Sequence, residues 1–139
     1  MSDAKEYLLQ IGQWDAQINS KLKHRDALRE QLTHITPVLK EDAGSGGGFQ
    51  DKICNGVSKL VDLEREIDED IDRLVDLKKE ALGLMEKLTN AKYYTVLHDR
   101  YILSMKWESI AGELGISRQG TLKIHGRALQ VFGKLMRDR

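Results

Sequence analysis

One cysteine, one proline, few aromatic residues and no net charge set the first limits on this 139-residue chain. A lone Cys54 excludes an internal disulfide framework and any metal site built from several thiolates. It reads as a small, partly buried apolar residue. Aromatic residues make up 6% of the chain against 32% charged ones, which leaves few of the residues that strands favour and many that helices tolerate. No apolar run approaches the length of a membrane span. The start, MSDAKEYLLQ, has neither the basic residues nor the apolar core of a signal peptide. A soluble, cytoplasmic, all-α protein is expected.

Charge is balanced overall but not along the chain. Lys92–Arg139 holds nine Lys and Arg against four Asp and Glu, and residues 1–91 hold thirteen against eighteen. An acidic front and a basic back place any nucleic-acid surface at the C-terminal end. The chain therefore divides into a helical hairpin over residues 1–91 and a DNA-binding domain over 92–139.

In the front half, about Asp3 to Leu32 reads as one amphipathic helix. Leu8, Ile11, Ile18, Leu22 and Leu32 form its seam, with Asp15, Arg25 and Arg29 in the seam's remaining positions and Trp14 and Leu28 beside it. Thr36-Pro37 is expected to break it. Gly44-Ser45-Gly46-Gly47-Gly48 then reads as part of a flexible linker over 36–50. A Gly-rich run invites comparison with a phosphate-binding loop, but no Gly-Lys-Ser/Thr follows and no strand precedes it. His24 and His34 lack companions at ligand spacing and read as surface residues.

A second, longer helix is expected from about Asp51 to Leu88. Ile53, Val57, Leu60, Ile67, Ile71, Leu74, Ala81, Met85 and Leu88 keep a heptad step, interrupted by Glu64 and Lys78. Leu63, Leu77 and Leu84 make a second row beside it. That breadth suits an antiparallel, coiled-coil-like hairpin with the first helix, and leaves surface for a homodimer or another protein. The acidic run EREIDEDIDRLVD, Glu64–Asp76, reads as the solvated face of this helix rather than as a metal cluster.

Thr89-Asn90 closes the second helix and caps the next, Tyr93–Leu103, which offers Tyr94, Leu97 and Tyr101 to a small core. Then comes WESIAGELGISRQGTLKIHGRAL, Trp107–Leu129. Ile110, Ala111 and Leu114 share one face of a short helix. Gly115 follows where a left-handed residue is needed, and Ser117 is an N-cap for a further helix. There Thr121, Ile124 and Ala128 form a buried stripe, and Gln119, Lys123 and Gly126 lie opposite, with Arg118 and Arg127 at the margins. Two helices with a tight turn, apolar within and polar without, describe a helix-turn-helix. Arg118, Gln119 and Lys123 would face base edges, while Lys106, Arg127 and the helix start at Ser117 would hold phosphates.

The run RYILSMKWESIAGELGISRQGTLKIHGRALQVFGKL resembles the C-terminal helix-turn-helix of sigma-70-type factors, region 4, which binds the −35 promoter element. The layout of the whole chain is similar to small phage-encoded regulators of the ArpU and RinA type. The resemblance implies a sigma-like activator that binds promoter DNA of late or packaging genes, with host RNA polymerase as partner. Gly120 and Leu122 depart from the polar or basic residues usual on such a recognition helix. A rival expectation is a helical protein-interaction adaptor whose helix-turn-helix is structural. No nucleophile and base, no carboxylate pair in a cleft and no metal constellation can be named, so no enzyme and no cofactor are expected.

Overall fold

The computed structural model describes residues 3–41 and 47–139, and of these not the side chains of 35–41, 47 and 49. Its elements are α1 (Asp3–Glu41), α2 (Gly47–Met85), α3 (Ala91–Leu97), a π-helical turn (His98–Ile102), α4 (Trp107–Leu114) and α5 (Arg118–Arg137). The fold is all-α, and among the described residues there is no strand. Nor is any helix among them long and apolar enough to cross a membrane. Two compact units are formed, one from Met1–Asp15 with Leu74–Arg139, the other from Ala16–Arg73. The division thus cuts through both long helices rather than falling at Lys92. Packing draws this line, whereas the sequence-based division follows charge.

Two helix ends differ from expectation. α1 continues through Thr36 and Pro37 to Glu41. A proline inside a helix removes a single backbone rung, and the turns on either side carry the helix across it here. α2 starts at Gly47 rather than Asp51 and ends at Met85. Of the expected linker over 36–50, residues 42–46 lie outside the described residues, and the remainder is helical.

In the unit Ala16–Arg73, Lys21 pairs with Asp70 at 2.5 Å and Glu66 at 3.0 Å, while Arg29, two turns further along α1, pairs with the earlier Glu64 of α2. Later residues of one helix thus meet earlier residues of the other, the antiparallel order. Ile18, Leu63 and Ile67 are buried between them, and so is Asp70 at 5% exposure. The adjacent carboxylate of Asp70, and then that of Glu66, holds the Lys21 ammonium above its ordinary pKa. A buried carboxylate persists only with such a partner.

The seam on α2 is therefore not the expected row. Leu63, Asp70 and Leu84 are buried, and Leu77 is half-buried. Val57 and Ile71, expected in the seam, are exposed, as is Val61. Close approach explains part of this choice. A Cβ on Gly56 would stand 2.5 Å from Leu32 Cδ2, so glycine is what admits Leu32 at that level. Cys54, expected to be partly buried, is exposed on the same flank of α2, because the helix is rotated by about one residue from the expected setting.

In the other unit, Ala4, Leu8 and Ile11 of α1 are buried together with Leu74, Ala81, Leu84 and Met85 of α2. Leu88, Val96, Leu97, Tyr101, Ile110, Ala111, Ala128, Leu129 and Phe132 complete the core. Phe132 is fully buried, its ring 6.0 Å from that of Tyr7. α1 thus supplies its first turns to the core on which α5 rests.

Candidate nucleic-acid interface

α3 begins at Asn90, whose side chain accepts from the N–H groups of Lys92 and Tyr93 at 2.9 and 3.3 Å. Its last turn widens into the π-helical segment, where the Leu103 N–H donates to the His98 carbonyl at 3.2 Å. The chain then reverses through Ser104, which holds φ +57°. The reversal lets the Arg100 guanidinium donate to the Met105 carbonyl at 2.9 Å and lie 4.5 Å over the Trp107 ring. Arg100 therefore stabilises the entry into α4.

α4 ends at Gly115, which takes the left-handed conformation at φ +67°. The N–H of Ile116 returns to the Ala111 carbonyl at 3.1 Å, a Schellman-type closure that satisfies a last-turn carbonyl. One residue later, Ser117 Oγ accepts from the Gly120 N–H at 3.0 Å, and the Thr121 hydroxyl donates to the Ser117 carbonyl, also at 3.0 Å. Removing such an N-cap typically costs about 1 kcal/mol. Gly115 and Ser117 together confine the turn between α4 and α5 to three residues.

The inner face of α5 is Thr121, His125, Ala128, Leu129 and Phe132, all buried. Ile124, expected in this stripe, is only half-buried. His125 takes the inner position instead, because steps of four, three and four residues from Thr121 reach 125, 128 and 132. Its ring is held by three aromatic contacts. The Tyr101 hydroxyl lies 2.6 Å from Nε2, the Tyr101 ring stacks at 5.7 Å, and the Trp107 ring meets it edge-on at 4.7 Å. Burial first, and then the positive charges of Lys5 and Arg100, push the imidazole pKa down to about 4. Burial raises the Tyr101 phenol to about 12. The neutral imidazole accepts the phenolic proton, and this pair braces α5 against the π-helical segment.

The outer face carries the residues expected to meet DNA. Arg118, Gln119, Lys123 and Arg127 are exposed, as are Lys106 before α4 and Ser117 at the cap. The Arg118 guanidinium rests 3.5 Å from Glu108, with both side chains largely in solvent. A pair of that kind is worth at most about 1 kcal/mol and is readily exchanged for a phosphate. Because α5 is 20 residues long, Gln130 and Lys134 continue the same face beyond the expected stretch. Over its whole length α5 carries five Lys and Arg and no Asp or Glu. Acid gathers instead at the back of α4. The buried Asp99 carboxyl lies beside that of Glu113 and raises the Glu113 pKa, and Asp99 Oδ2 has no hydrogen-bond partner. Among the described residues no three His, Cys, Asp or Glu side chains gather as a metal site would require.

The sequence model of a family described as "Protein of unknown function (DUF1492)" matches residues 35–132, well over half of the chain. The chain belongs to the DUF1492 family. Comparison with curated proteins and with solved structures gives no match. Nothing in these comparisons supports the expected kinship with sigma region 4 or with ArpU- and RinA-type regulators. All six expected contact residues of this DUF1492 protein, from Lys106 to Arg127, fall inside the matched stretch, while Lys134 and Arg137 lie beyond it.

The brace at His125 gives this DUF1492 protein an acid sensitivity. Its folded pKa lies below the ordinary value of 6.5, so the contribution of the neutral ring is complete above pH 6.5. It is lost as pH falls through 6.5 towards 4. The loss is expected to be about 2 kcal/mol, less than the full shift because water partly screens the site. Thermal melts between pH 7 and pH 4 check this. His125→Gln keeps a polar partner for Tyr101 without titrating and should flatten the slope; an unchanged slope would remove His125 as its source.

Proposed function

We propose that this DUF1492 protein binds duplex DNA through α5, using α4, the turn and α5 as a helix-turn-helix. The observation that carries this reading is an exposed 20-residue helix with five cations and no carboxylate, fixed in place on its other side by a buried, braced core. A helix seats in the major groove when its outer face is polar and cationic and its orientation is set by packing. Gln119 and Lys123, exposed and one turn apart, take base edges together with Arg118. Lys106, Arg127 and the N-terminal turn after Ser117 take phosphates. The resemblance of Arg100–Leu135 to sigma region 4 extends this to promoter recognition beside a host RNA polymerase, in the manner of phage late-gene activators.

Selection from random duplexes, followed by measurement of two variants, tests the proposal. Gln119→Ala should cost about 1–3 kcal/mol on the selected site and little on random DNA. Lys123→Ala should weaken both and reduce the slope of log affinity against log salt by about one unit. Neither variant should shift the melting midpoint, since both side chains are exposed. If both bind every duplex as the parent does, α5 does not enter the groove.

One observation favours the rival reading, an interaction adaptor. Val57, Val61 and Ile71 lie exposed along one flank of α2, where a second copy of the chain or another helix would cover them. In the DNA-binding reading the same flank serves a homodimer. Light scattering of the parent and of Val61→Glu distinguishes a dimer on this flank from a monomer.

A further inference from the structure

We infer that Gly126 is the point at which a sugar–phosphate strand passes directly against the backbone of α5. This rests on the DNA-binding reading above and adds to it a contact made by the absence of a side chain. Glycine inside a helix lowers stability relative to alanine, and it persists for a reason. Two reasons internal to the protein are excluded by the geometry. Gly126 does not have positive φ, since Gly115 is the glycine that does among the described residues. A Cβ built on Gly126 would also meet nothing within 4 Å, so no neighbouring side chain or helix needs the space.

What surrounds Gly126 points outward. It is exposed on the face that carries Gln119 and Lys123, one turn beyond Lys123 and next to Arg127. That face has cations on both sides of the gap and no carboxylate anywhere on the helix. A Cβ would stand about 1.5 Å proud of the Cα. Without it, a phosphate lying between the Lys123 and Arg127 side chains can approach the helix more closely than over any other residue type. Gly12 is also exposed and also has nothing within 4 Å of a built Cβ. It lies on α1 between Leu9 and Asp15, with no cationic face around it, and so serves as the control.

The test uses the full-length chain. Gly126→Ala should raise the melting midpoint by about 2–4 °C through helix propensity and at the same time lower affinity at least tenfold, equally for the selected duplex and for random duplex. Gly126→Leu should lower affinity further. Gly12→Ala should raise the midpoint and leave affinity unchanged. Stability and binding then move in opposite directions, which a structural role for Gly126 cannot produce. If the parent binds duplex DNA and Gly126→Ala binds as tightly, the close-approach contact is wrong while the DNA-binding reading stands. Loss on the selected duplex alone would place a base edge, not a phosphate, at Gly126 and overturn the inference. A parent that binds no duplex removes both.

Discussion

A fragment limited to Lys92–Arg139 is expected to show no cooperative thermal transition, although it contains every residue proposed to touch DNA. Its core is completed from elsewhere in the chain. Leu8 and Ile11 of α1, and Leu74, Leu84, Met85 and Leu88 in and just after α2, are buried in the same compact unit. Each such side chain contributes about 1.5–3 kcal/mol on burial. Losing six removes on the order of 10 kcal/mol, comparable with the whole stability of a typical domain. Circular dichroism of the fragment beside the full chain is the measurement. A sigmoidal melt in the isolated fragment would show that the first turns of α1 are decoration on a self-sufficient head.

Phe132→Ala is expected to be the most damaging single substitution on α5, costing about 3–5 kcal/mol. Phe132 is fully buried and reaches Tyr7, so truncation opens a cavity beneath the helix that is proposed to enter the groove. At roughly 2–4 °C per kcal/mol for a chain of this size, the midpoint should fall by about 10 °C. DNA affinity measured well below the new midpoint should change far less, because no outer-face residue is altered. Ile124→Ala makes the comparison informative. It is half-buried, and its truncation should cost about 1 kcal/mol rather than a core-sized loss. Equal losses from the two variants, read from urea titrations, would mean that α5 is rolled by about one residue from the setting described here.

The helical class, and the ends of the elements around the turn, were legible because they depend on local chemistry. Asn90 and Ser117 offer a side-chain oxygen to the first free N–H groups of the helices that follow them. Gly115 can take φ +67° without a Cβ clash. These choices are decided within a few residues. The exposure of Gln119, Lys123 and Arg127 was legible for the same reason, since a charged or amide side chain on an amphipathic helix turns to water unless it is paired.

Rotation of each helix about its own axis was not legible. On α2 two rows one residue apart satisfy the same heptad: Gly56, Leu63, Asp70, Leu77 and Leu84, or Val57, Glu64, Ile71, Lys78 and Met85. Hydropathy favours neither, and an aspartate in the seam argues against the row that is buried. The choice comes from α1. Lys21 stands where it can neutralise Asp70, and Leu32 needs the space left by Gly56. On α5 the same ambiguity separated Ile124 from His125, and Tyr101 and Trp107 settled it by holding the imidazole. The sequence by itself determined where helices start and stop and which residues prefer water, because those preferences are properties of short segments. Only the tertiary structure decided which face of each helix is turned inward, because that depends on the shape and charge of side chains brought alongside from distant parts of the chain.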